Sequence, residues 1–145
     1  MRMLAIAASA AMIATSFASI AGADPIADRK QNMRDRAAQM RVLGPIAQGQ
    51  QPFDATAVHA ALDALNAAAK ATDVAALWPA GSETGDTKSS PKIWEDMAGF
   101  TAAMDKFKAD AAAAAAAKPA DLAAFQAVFG PVAGNCGACH QAYRL

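Results

Sequence analysis

The chain has 145 residues, with 13 lysines and arginines balanced by 13 aspartates and glutamates, and only two cysteines and two histidines. No run of like charge exceeds two residues, so nothing in it forms the basic footprint of a nucleic-acid-binding protein. Near-neutrality likewise argues against adhesion to a polyanion or a charged membrane surface.

The first segment, MRMLAIAASAAMIATSFASIAGA, has one positive charge at Arg2, an apolar run from Leu4 to about Ile20, and small residues Ala21-Gly22-Ala23. That is the layout of a secretory leader cleaved after Ala23. Its run is built of Ala and Ser rather than the Leu and Ile expected of a spanning helix of about 20 residues. Cleavage leaves residues 24–145 as one domain, with no membrane insertion, in an oxidising compartment such as the periplasm.

From there the sequence reads as all-α, rich in alanine and without strand-length alternation. A first helix starts at Pro25 behind the cap Asp24 and runs to about Gln48, with a kink or early end expected at Gly44-Pro45. Ile26, Met33, Ala37, Met40, Gly44 and Ala47 share its seam, so Met33 points into the bundle, and Arg29 lies one turn before Met33. Asp54 caps a second helix from Ala55 to about Ala71, with Val58, Leu62, Leu65 and Ala69 on one face. Residues 73–90 read as a long connection.

Ser90-Pro91 opens a third helix, in which Ile93, Met97, Phe100, Met104 and Phe107 recur at steps of four and three. The seven alanines 111–117 extend it. After Lys118-Pro119 a fourth helix carries the stripe Leu122, Phe125, Phe129, Val132, Cys136, Cys139 and Tyr143, with an interruption expected at Gly130-Pro131. Four helices joined in this way predict an antiparallel up-down four-helix bundle.

Both cysteines and one histidine fall within Cys136-Gly-Ala-Cys139-His140. Thioredoxin-like exchange needs a cysteine pair after a strand, and this chain offers none. Structural zinc needs four ligands, and only His59 is left to add. It lies on the flank of the second helix and reads as a solvated surface histidine. The remaining chemistry is covalent attachment of haem c: each thiol adds to one vinyl group of the porphyrin, and His140 reaches the iron.

With those residues in view, the chain resembles the class II cytochromes c, the cytochrome c prime family. The resemblance spans residues 24–145. It rests on Cys136, Cys139 and His140 followed by Tyr143-Arg144, on KSSPKIW at 88–94, and on the segment from Arg29 to Gly49. It implies two branches of function. In the low-spin branch, a methionine from the first helix completes the iron coordination and the protein carries electrons between periplasmic redox partners; Met33 matches that ligand. In the high-spin branch, the iron keeps only its histidine and binds a diatomic gas, nitric oxide or carbon monoxide.

The resemblance also places Arg29 near a haem propionate and Arg144 beside the ring, and it implies a homodimer pairing through the first two helices, with Val42 or Leu43 as contact or second-layer core. Trp78 and Trp94 read as aromatic packing around the pocket. Neither branch transforms a substrate, so an enzyme is not expected.

Overall fold

The computed structural model describes residues 24–145; the leader reading of residues 1–23 and its cleavage after Ala23 lie outside the described residues. In chain order the helices are α1 (Pro25–Ala47), α2 (Ala55–Lys70), α3 (Val74–Leu77), α4 (Lys92–Glu95), α5 (Met97–Ala117) and α6 (Leu122–Tyr143). The four long ones, α1, α2, α5 and α6, form the bundle, and the single turns α3 and α4 lie between the second and third of them.

Each long helix begins on an aspartate whose carboxylate accepts from the first-turn amides. Asp24 takes Ile26 and Ala27, Asp54 takes Ala57, Asp96 takes Gly99 and Asp121 takes Ala124, all at 2.8–3.0 Å. Such caps contribute about 1 kcal/mol each.

The third helix departs from expectation. Instead of one helix from Ser90-Pro91, α4 ends at Asp96 (φ −132°, ψ 55°), which then caps α5. The cause is local, because the Asp96 side chain offers the backbone an alternative to continuing the helix. Gly99 permits it: a Cβ there would collide with the Asp96 carboxylate. The 73–90 connection likewise contains the short α3, capped by Asp73.

Neither helix ends at its proline. Both α1 and α6 continue past it, with Pro45 and Pro131 inside them. Each proline deprives the carbonyl four residues back of its partner, but those residues, Arg41 and Ala127, are exposed, so water can supply it.

Along the bundle, α1 lies beside α2, α2 beside α5 and α5 beside α6, whereas α1 meets α6 over a shorter stretch. The core joins Val58, Leu62, Leu65 and Ala69 of α2 to Phe100, Met104 and Phe107 of α5 and to Phe125, Phe129 and Val132 of α6. Phe125 stacks on Phe129 with centroids 5.1 Å apart, and Gln126 donates to the Ala47 carbonyl, closing that end. His59 is not a free surface group: its Nε2 donates to the Pro119 carbonyl at 2.9 Å, joining α2 to the α5–α6 turn. Leu43 is fully buried, and only Val42 of that expected pair is exposed.

The crossover is fastened to the other end of the chain. Ser90 N donates to the Tyr143 carbonyl and Leu145 N to the Lys88 carbonyl, both at 2.9 Å, so residues 88–90 strap across the end of α6. Gly85 lets the strap approach α1, since its φ is +121° and a Cβ would meet Ile26 Cδ1 at 3.0 Å.

Candidate functional site

Where α1 and α6 draw apart lies a cavity of about 630 Å³ with mostly apolar walls. That size falls in the range of about 300–1,000 Å³ typical of cofactor pockets. All six residues singled out in the sequence line it: Met33 and Arg29 from α1, Cys136, Cys139 and His140 from α6, and Arg144 just beyond.

The α1 seam divides in two. Its buried side chains are Arg29, Arg36, Leu43 and Ile46, of which the two arginines also border the cavity beside Met33, Ala37 and Met40. Periodicity therefore finds the right face for Met33 but not what that face covers.

On α6, Cys136 and Cys139 are half-buried, and the Cys136 thiol lies 3.6 Å from the Val132 carbonyl of its own helix. Burial pushes both thiols up from their ordinary range, and the positive charge of Arg36 partly opposes this. They are thus held as neutral thiols rather than as the thiolates that disulfide exchange needs. The His140 imidazole is held below its usual value by desolvation, then by Arg144 and by Arg36. A deprotonated ring nitrogen is what a metal requires.

Arg29 borders the cavity and is also tied to the crossover. Its Nη1 donates to Ser82 Oγ at 3.0 Å and the Leu77 carbonyl at 3.3 Å, and its Nη2 to the Ser82 carbonyl at 2.7 Å and Thr87 Oγ1 at 3.0 Å. It pins the crossover onto α1, with Trp94 beneath it at 5.6 Å. Trp78 is buried edge-on to Phe100 with centroids 4.8 Å apart, and its indole nitrogen donates to Ser89 Oγ. Trp94 donates to the Pro79 carbonyl.

Arg36 is a site residue that sequence reasoning misses. It is 8% exposed at the back of the cavity, over the Phe107 ring at 4.6 Å, with Nη2 on Thr72 Oγ1 and Nη1 on the Met104 sulfur. A count of apolar positions skips an arginine. The available signal is its register, since 29, 33, 36, 40 and 43 continue one another at steps of four and three.

These walls fit a flat, largely apolar group with anionic edges. Two neutral thiols and an imidazole stand on one helix and a thioether on another, and the buried Nε atoms of Arg29 and Arg36 have no partner. Around the mouth, Lys30, Arg34, Arg41, Lys88 and Arg144 face a single acid, Asp86, which pairs with Lys30 at 2.6 Å. The overall neutral charge thus conceals a basic rim.

Comparison with known proteins agrees. Residues 24–144 match the family model described as Cytochrome C'. A cytochrome c-556 from Agrobacterium tumefaciens (strain II Chrys) is 39% identical over 123 residues, covering 85% of this chain and 98% of that protein. The structure of cytochrome c' from Rhodopseudomonas palustris superposes with a TM-score of 0.77 at 36% identity, covering 86% of this chain and 98% of that one. A nitric oxide complex of a cytochrome c prime variant from Alcaligenes xylosoxidans superposes with a TM-score of 0.71 at 34% identity, covering 83% and 94%.

Proposed function

The chain belongs to the cytochrome c prime family of haem proteins, and from that premise we propose that it is an exported, periplasmic one-electron carrier with a histidine–methionine ligand pair. Its cofactor is covalently attached haem c, which supplies the one-electron couple of its iron. The remaining tasks fall to the chain's own side chains. Cys136 and Cys139 hold the ring through thioether bonds, and His140 is the proximal ligand.

Met33 is the sixth ligand in this reading. What supports it is one observation: Met33 lies on the α1 wall of the same cavity that His140 borders from α6. The name of the cytochrome c-556 relative is in keeping with it. A soft thioether favours the reduced metal, so this pair suits an electron carrier. Trp78, Phe100 and Met104 exclude water behind it. Arg29, held by the crossover, and Arg144, just beyond α6, would supply positive charge near a propionate and beside the ring respectively. Export follows from the leader of residues 1–23, removed after Ala23 to leave domain 24–145. The basic rim suits a redox partner with an acidic face.

A second reading, a five-coordinate site for nitric oxide or carbon monoxide, draws on the nitric oxide complex of the Alcaligenes relative. Optical spectra of the ferrous protein and of Met33→Ala separate the two. The carrier shows low-spin bands that vanish in the variant, which then takes up carbon monoxide at least tenfold faster. A high-spin spectrum already present before substitution, with carbon monoxide bound at full speed, sinks the carrier reading in favour of the gas site.

A further inference from the structure

Arg36 is the least expected side chain in the molecule. It occupies an inward-facing position where a bundle helix normally places an apolar residue, and it is only 8% exposed. A buried cation is costly unless it is paired with an anion. None of the four ion pairs among the described residues includes it.

Its polar contacts are the Thr72 hydroxyl and the Met104 sulfur, and its Nε has no partner. Arg29, seven residues earlier, shares the unpartnered Nε but spreads its two Nη atoms over four oxygens, whereas Arg36 meets one hydroxyl and one sulfur. The contacts of Arg36 tie together α1, the end of α2 and α5, which fixes where the charge sits. The stacking on Phe107 holds the guanidinium plane as well.

The charge faces the groups of the site. Arg36 lines the same cavity as Cys136, Cys139 and His140. Those are the groups assigned to hold the ring, so a charge fixed in that wall acts on whatever the cavity encloses.

We propose that Arg36 is a fixed positive charge built into the back of the haem cavity, where it opposes the extra positive charge of the oxidised cofactor and raises the reduction potential. In a water-poor cavity, a cation raises the energy of a second positive charge far more than it would in solvent. The oxidised form carries one more positive charge than the reduced form, so the reduced form is favoured.

This rests on the haem reading but not on Met33, because spectra report the ligand and potentiometry reports Arg36. The test measures the midpoint potential of the holoprotein and of three variants alongside their denaturation curves. Arg36→Met removes the charge at similar volume and shifts the oxidised-to-reduced equilibrium at least tenfold towards oxidised, equivalent to about 59 mV for a one-electron couple. Arg36→Lys keeps a charge and recovers at least half of that shift. Thr72→Val removes the hydroxyl bond but not the charge, so it lowers stability while leaving the equilibrium within about threefold.

An unchanged potential in Arg36→Met overturns the proposal, and so does an equal shift in Thr72→Val, which would trace the effect to relaxed packing. Should Arg36→Met fail to fold, Arg36→Gln, which keeps a donor for Thr72, carries the same outcomes. Failure of both neutral variants to fold overturns it in favour of a purely structural clasp.

Discussion

Where α2 packs on α5, the chain fills its interior with its own side chains: Val58, Leu62 and Leu65 meet Phe100, Met104 and Phe107, and small alanines such as Ala69, Ala111 and Ala115 let the backbones approach. Where α1 faces α6, the walls are set apart around about 630 Å³, two arginines are buried in α1, and the chemically reactive side chains collect. The first flank is a conventional core whose stability comes from apolar burial. The second gives up part of that burial to present thiols, an imidazole and a thioether to a cofactor. Stability and chemistry are thus assigned to different helix pairs, and each should respond to different mutations.

The largest expected effect is on the second flank. Cys136→Ser combined with Cys139→Ser removes both covalent anchors, so haem staining on a denaturing gel should disappear entirely; persistent staining would contradict the assignment of these two residues. On the packed flank, Leu62→Ala empties a site that is 1% exposed and should lower unfolding stability by about 2–5 kcal/mol while leaving the optical bands in place. A spectral change of the same order as that of Met33→Ala would show that the flanks are not separable.

Much of this division is legible in the amino-acid sequence. Aspartate caps at 24 and 54 and the stripe Phe125, Phe129, Val132 mark the helices, because capping and burial are local and periodic properties. The cluster at 136–140 marks the chemistry, because its residue types and spacing serve few other purposes. The break at Asp96 is not legible, since the competing cap depends on how Asp96 and Gly99 approach each other. Pro45 and Pro131 mislead, because their effect depends on whether the freed carbonyl meets water. Arg36 stays hidden because its burial makes sense only once a cavity is known to lie in front of it.

A smaller effect sharpens the boundary between the flanks. Ser82→Ala takes one hydroxyl from the Arg29 clip, and losing a partner for a buried charged donor costs about 1–3 kcal/mol. The loss should appear as faster amide exchange over residues 82–90, with α2 and α5 unaffected. If protection falls equally throughout, the crossover is not an independent unit.

The smallest effect concerns the rim. Its cations should draw anionic partners, so oxidation by ferricyanide should slow a few-fold as the Debye length falls from about 30 Å at 0.01 M salt to about 3 Å at 1 M. A cationic cobalt oxidant should show the reverse trend. Identical salt dependence for both reagents would remove the rim from any role in docking.

The strap over the end of α6 also has a consequence for the order of folding. Residues 88–90 bond to Tyr143 and Leu145 across more than fifty residues of chain, so the end of α6 that carries His140 is held by a non-local contact. Closing so long a loop costs conformational entropy before any contact repays it, so the strap seals after the helices it joins have packed.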